Sequence, residues 1–166
     1  YLNPGNSGFK KIRNSLYVDK TGLIGMINRT IDTAQKLTCI SRPRRFGKSY
    51  AAKMLCAYYD CSCDSRALFD DREIAQTEKY LTHLNQYHVI YLDITGFISE
   101  AKRRRESMAD VPEEIVAAVH KELKNMLPSL DSGEGLMAAL IHCVEETGRE
   151  FVFIIDEWDA LIREAK

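Results

Sequence analysis

The chain is 166 residues long, 45% hydrophobic and 28% charged, with a formal net charge of −1. This composition fits one globular domain that buries about two-thirds of its extended surface. The near-zero charge removes any global pull toward nucleic acid or an anionic membrane, and no apolar run approaches the roughly 20 residues of a membrane span.

The chain opens on a turn-rich lead, Asn3-Pro4-Gly5-Asn6-Ser7-Gly8, followed by apolar anchors at Phe9, Ile12, Leu16 and Tyr17. Asp19 is placed to cap a helix over Lys20–Asn28, where Leu23, Ile24 and Ile27 share a face. A polar connection, Arg29–Gln35, leads into the short apolar run Leu37–Ser41, which reads as a strand. The basic loop Arg42-Pro43-Arg44-Arg45-Phe46-Gly47-Lys48-Ser49 comes next. A helix is expected over Lys48–Tyr59, packing through Ala51, Met54, Leu55 and Tyr58. Cys61–Asp71 reads as a polar loop broken by Leu68-Phe69, and a short helix falls near Thr77–Leu84.

Residues 88–94 read as a mostly buried parallel strand, because Val89-Ile90-Tyr91-Leu92 barely alternates. Asp93 at its end is either a loop-capping carboxylate, the better reading, or one that senses a ligand. Lys102-Arg103-Arg104-Arg105 is the one strongly basic run besides the loop, and it could meet nucleic-acid phosphates. Glu100, Glu106 and Asp110 stand close by, with no interleaved aromatic for base stacking, so a solvated face is the better reading. Pro112 starts a helix whose Ile115, Val116, Val119, Leu123 and Leu127 repeat at helical spacing. A second helix covers Glu134–Thr147, with Gly148 as its stop. Phe151-Val152-Phe153-Ile154-Ile155 then reads as a strand buried on both faces, ending in Asp156-Glu157.

The five cysteines do not make a disulfide framework. Cys39 and Cys143 read as buried thiols. Cys56, Cys61 and Cys63 cluster without the C-x₂-C partner pair of a zinc site. His120 and His142 have no acid or cysteine partner at ligand spacing.

Two stretches carry chemistry. Strand, basic loop and helix around Gly47-Lys48-Ser49 is the order of a phosphate-binding P-loop. Gly47 lets the backbone approach a phosphate, and amides at a helix N-terminus favour an anion. Arg44, Arg45, Phe46, Gly47, Lys48, Ser49 and Tyr50 are the expected nucleotide contacts. Lys48 would meet the β- and γ-phosphates and Ser49 would offer its hydroxyl to Mg²⁺. Arg42 stands where the usual pattern has its first glycine, and a basic turn capping a helix is the alternative. The second stretch is the strand end: Asp156 would hold Mg²⁺ and Glu157 would orient the attacking water. Its alternative is Asp156 as the N-cap of a helix over Trp158–Glu164.

Ile40-Ser41-Arg42-Pro43-Arg44-Arg45-Phe46-Gly47-Lys48-Ser49 resembles the RPRRFGKS phosphate loop of the bacterial AAA-ATPase-like family, in which Arg is normal at the first glycine position. Phe9–Arg13 with Tyr17-Val18-Asp19-Lys20-Thr21, and Ile154–Asp159, resemble further signatures of that family, with Trp158 replacing a Tyr. The resemblance implies the Walker A and Walker B elements of an ATPase, with ATP and Mg²⁺ as cofactors. It also places the adenine near Tyr17 or Phe9, though both read equally well as core. Family members are usually longer and often continue into a PD-(D/E)XK nuclease-like domain.

The expected fold is therefore α/β: a three-layer parallel sheet of the P-loop NTPase (AAA/ASCE-like) type. Its strands are 37–41, 88–94 and 151–155, in the order second, third, first, and it is truncated after the Walker B strand. Residues 1–35 form a lead and helix, and 36–166 a partial nucleotide-binding core. Starting at Tyr1 and stopping at Lys166, the chain is read as a piece of a longer cytoplasmic protein. The truncation leaves an apolar sheet edge that invites self-association. The expected activity is slow Mg²⁺-dependent ATP hydrolysis used as a conformational switch, weak in the piece alone. The alternatives are a non-hydrolysing nucleotide-dependent interaction module and a nucleic-acid-binding domain. No N-K-x-D motif points to GTP.

Overall fold

The computed structural model describes residues 1–41, 46–131 and 133–164. Its contacts divide the chain into two units, one of Asn3–Val89 and one of Tyr1–Leu2 with the residues from Ile90 on.

The first unit is helical. Helix α1 covers Ser7–Arg13, α2 Gly22–Asn28, α3 Lys48–Tyr59, α4 Arg66–Phe69 and α5 Tyr80–His83, with a 3-10 turn at Glu73–Gln76. Helix α3 has the bounds its spacing predicts, and Ala51, Ala52 and Met54–Tyr59 are all buried along it. It packs on α1. The core is aromatic: Phe9 stacks on Phe69 with centroids 5.2 Å apart, and Tyr58 meets Phe69 edge-on at 5.4 Å. A buried polar network ties the helices together. Asn28 Nδ2 donates to the Tyr58 hydroxyl at 2.8 Å, the Tyr59 hydroxyl donates to Asn28 Oδ1 at 2.7 Å, and the Tyr58 hydroxyl donates to the Tyr80 carbonyl at 2.6 Å. Burial pushes the Tyr58 hydroxyl up to about 12, so the network stays neutral at ordinary pH.

The predicted strand at 37–41 is not formed. Residues 36–41 have no regular structure, and Leu37 is 93% exposed. A helix closes its hydrogen bonds within itself, whereas a strand needs a paired neighbour. The helix near Thr77–Leu84 shrinks to α5, and α1 and α4 arise where the sequence reads as lead and loop.

The second unit holds a two-stranded parallel sheet, β1 (His88–Asp93) beside β2 (Phe151–Asp156). These are the predicted second and third strands, adjacent as expected. Helices α6 (Ile94–Arg104), α7 (Val111–Met126), α8 (Leu136–Thr147) and α9 (Ala160–Glu164) complete the unit. Ile90, Leu92, Phe97, Val119, Leu123, Leu130, Ala139 and Cys143 form its core. Gly148 ends α8 at φ +65°, as its position predicts. The expectation that β2 is buried on both faces is corrected. Ile154 and Asp156 are buried, but Phe153 and Ile155 are 46% and 49% exposed. One face of the strand meets the core and the other carries apolar side chains with little over them.

Candidate functional site

The phosphate-loop residues are built on the start of α3. Gly47 is the N-cap, at φ +79°, a left-handed conformation that a side chain would strain. An α-helix leaves its first N–H groups without intrahelical acceptors, and at α3 the ladder begins with Ala51 N donating to the Gly47 carbonyl at 3.0 Å. The positive end of the helix dipole therefore lies at Lys48–Tyr50. Ser49 is exposed, as are Phe46 (62%) and Tyr50 (55%). Arg44 and Arg45, with Arg42 and Pro43, lie outside the described residues.

Lys20 reaches the same spot. Its Nζ donates to the Phe46 carbonyl at 3.2 Å, and a Cβ on Gly47 would meet that Nζ at 3.0 Å. Sequence reading assigns Lys20 no role of its own, although it stands in the Tyr17–Thr21 signature. Asp19 braces the segment: its carboxylate accepts from Thr21 N at 2.9 Å and Glu73 N at 3.1 Å. Burial alone would raise the Asp19 carboxyl, but these hydrogen bonds outweigh it and hold it below the ordinary range.

A cleft of about 380 Å³ opens beside the loop, lined by Leu16, Tyr17, Val18, Lys20, Phe46, Gly47, Tyr50, Ala51 and Met54. Tyr17 is half-buried there, its hydroxyl donating to Met54 Sδ at 3.4 Å, with the Arg72 guanidinium 5.6 Å from its ring centre. Phe9 is fully buried against Phe69 and Tyr17, so it is core and not a base-stacking surface. The structure thus separates two residues that the sequence left equivalent.

The two carboxylates belong to the other unit. Asp156 closes β2 and is 8% exposed. It accepts from the Tyr91 hydroxyl at 3.4 Å and from Glu157 N at 3.1 Å. It does not cap the following helix, which starts later than predicted, at Ala160. Glu157 adopts φ +53°, uncommon for a residue with a side chain. Its Oε2 accepts from Arg163 Nη2 at 2.9 Å, while Arg163 Nη1 donates to Asp159 at 2.6 Å.

Asp93 is the N-cap of α6, accepting from Thr95 N at 3.0 Å and Gly96 N at 3.3 Å, which bears out the capping reading. The basic run is largely neutralised. Lys102 pairs with Glu164, Arg103 with Glu100, and Arg104 with Glu100, Glu106 and Glu114. A larger cleft of about 800 Å³ lies along α7 near His120 and Glu134, and none of the residues singled out for phosphate or metal chemistry lines it. Among the described residues no group of three or more His, Cys, Asp or Glu converges to hold a metal, and no helix is long and apolar enough to cross a membrane.

Mg²⁺ takes hard oxygen ligands, commonly one or two carboxylates together with substrate phosphates. Ser49 and Asp156 are donors of that kind, and the bare left-handed backbone at Gly47 leaves room that a Cβ would fill. A protein-family model described as AAA-ATPase_like, Predicted AAA-ATPase, matches residues 4–166. No curated protein and no solved structure matches the chain.

Proposed function

The chain belongs to the family of predicted AAA-ATPases, and from that premise we propose that it binds ATP with Mg²⁺ at the Gly47 loop and hydrolyses it slowly, as a conformational switch. The observation that carries the reading is the start of α3, where left-handed Gly47, followed by Lys48 and Ser49, lies beside the ammonium of Lys20. Lys48 and the α3 amides hold the phosphates, Lys20 adds a second cation, and Arg44, Arg45, Phe46 and Tyr50 complete the contacts. Tyr17 and the cleft beside it take the base. Ser49 and Asp156 hold Mg²⁺, which when bound neutralises charge on the β- and γ-oxygens. Glu157 orients the attacking water.

Calorimetric titration of ATP with Mg²⁺ tests this. Micromolar binding to the wild type, lost in Lys48→Ala, is expected, and equal affinity in both proteins would remove the reading. A second reading, nucleotide binding without hydrolysis, is favoured by one observation: Glu157 is engaged by Arg163. Unchanged turnover in Glu157→Gln would select it. Self-association through an uncovered sheet edge belongs to the same proposal. A mass independent of concentration in sedimentation would remove it.

A further inference from the structure

A thiol–imidazole cluster lies just past the C-terminal end of α3, and the nucleotide reading makes no use of it. Cys61 Sγ is 3.4 Å from His88 Nδ1, and Cys63 follows two residues on. The backbone around them is pinned. Cys61 N donates to the Tyr87 carbonyl at 2.8 Å, and the buried Asp60 carboxylate accepts from Gly5 N and from Ser62 N at 2.7 Å. Asn85 Nδ2 donates to the Asp60 carbonyl at 2.6 Å. Both thiols are partly exposed, and neither is in a disulfide.

The neighbours fix the protonation of His88. Asn3 Oδ1 accepts from Val89 N at 2.9 Å, which identifies the other end of that amide as its NH₂. That NH₂ points at His88 Nδ1 from 3.2 Å. Nδ1 is therefore an acceptor with the ring proton on Nε2, and its one lone pair is shared between the Asn3 N–H and the Cys61 thiol. This is the polarity of a nucleophilic thiol beside its base. The two cysteines differ. Burial raises the Cys63 thiol, and although the Ser65 hydroxyl opposes the shift, Asp60, Cys61 and Asp64 add to it. Cys63 thus stays protonated while Cys61 has an acceptor for its proton.

We propose that Cys61 and Cys63 form an oxidant-reactive dithiol, with His88 as the base for Cys61 and hydroperoxides as the class of oxidant. Cys61 gives its proton to His88 Nδ1, and its sulfur attacks the terminal peroxide oxygen. The O–O bond breaks, the sulfur is oxidised to a sulfenic acid, and the departing alkoxide takes the proton from Nδ1 to leave as an alcohol, or as water from hydrogen peroxide. The Asn3 N–H facing Nδ1 disfavours an imidazolium there, so His88 relays the proton and does not store it. Cys63 then attacks the sulfenic sulfur. Its thiol proton leaves with the hydroxyl as water, and a Cys61–Cys63 disulfide remains, reducible by an added thiol.

The exposed Cys39 is the internal reference, because exposure alone would make it the faster thiol. Cys61 should be alkylated by limiting iodoacetamide roughly threefold faster than Cys39 in the wild-type protein, because His88 Nδ1 stands ready to take its proton. One equivalent of hydrogen peroxide should yield the Cys61–Cys63 disulfide by peptide mass spectrometry, reversed by dithiothreitol. Cys63→Ser should instead leave a Cys61 sulfenic acid that dimedone traps. Alkylation of Cys39 at least as fast as Cys61, or oxidation that gives only intermolecular bridges through Cys39, would overturn the proposal.

Discussion

The ammonium of Lys20 donates to the carbonyl of Phe46 at 3.2 Å, which sets a second cation over the glycine that starts α3. A charge-assisted contact to phosphate is worth about 1.5–3 kcal/mol, or tenfold and more in affinity. Lys20→Ala should weaken ATP binding by about tenfold in calorimetry, and Lys20→Arg should recover most of it because the charge is kept. Equal affinity in wild type and Lys20→Ala would mean that Lys20 only tethers the loop backbone.

Glu157 carries its side chain on left-handed backbone, at φ +53°. That conformation costs about 1 kcal/mol in any residue with a Cβ and almost nothing in glycine. Replacing Glu157 also removes its pair with Arg163. The clean comparison is therefore between two variants that both lack the pair. Glu157→Gly should be more stable than Glu157→Ala by about 1 kcal/mol in urea unfolding. The opposite order would show that the conformation does not persist in solution.

The two halves of the proposed site were legible to different degrees. Helix α3 was read to its bounds because local hydrogen bonds, helical spacing and a glycine at its head all act within a dozen residues. Strands β1 and β2 were read from their apolar runs. The strand read in the same way at Leu37–Ser41 does not form, because a run of apolar residues encodes a wish to be buried and not the neighbour that buries it. The same limit explains Phe153 and Ile155, read as core and found half exposed. Lys20 escaped notice because its contact with Phe46 joins residues 26 positions apart. The split between Phe9 and Tyr17 likewise required knowing that Phe69 fills the space beside Phe9.

The buried network at Asn28 has little slack. Tyr59 is 1% exposed, and its hydroxyl donates to Asn28 Oδ1 at 2.7 Å. Tyr59→Phe keeps the ring and removes that donor. An acceptor left unsatisfied in a core costs about 1–3 kcal/mol, so the variant should lose that much in urea unfolding with an unchanged m-value. A loss under about 0.5 kcal/mol would mean that water or a side-chain shift replaces the hydroxyl.

His83 should make stability depend on pH. It is 2% exposed, its Nδ1 shares a hydrogen bond with the Tyr87 hydroxyl at 2.7 Å, and Nε2 lies 3.7 Å from Asp32. Burial lowers its pKa below the ordinary 6.5; Asp32 opposes the shift and Lys79 adds to it. Below that ordinary value the unfolded chain takes up a proton that the folded chain does not yet accept. The unfolded state then binds more protons, so stability rises with pH and is lost on acidification. The loss should begin near pH 6.5 and continue down to the folded value, with a plateau above. Asp19, whose carboxyl is also held low, acts in a separate window below about pH 4. Urea unfolding at pH 7.5, 6.0 and 5.0 should show the decline in the wild type and a flatter profile in His83→Gln, which cannot take up the proton. Equal slopes in the two proteins would assign the dependence to another group.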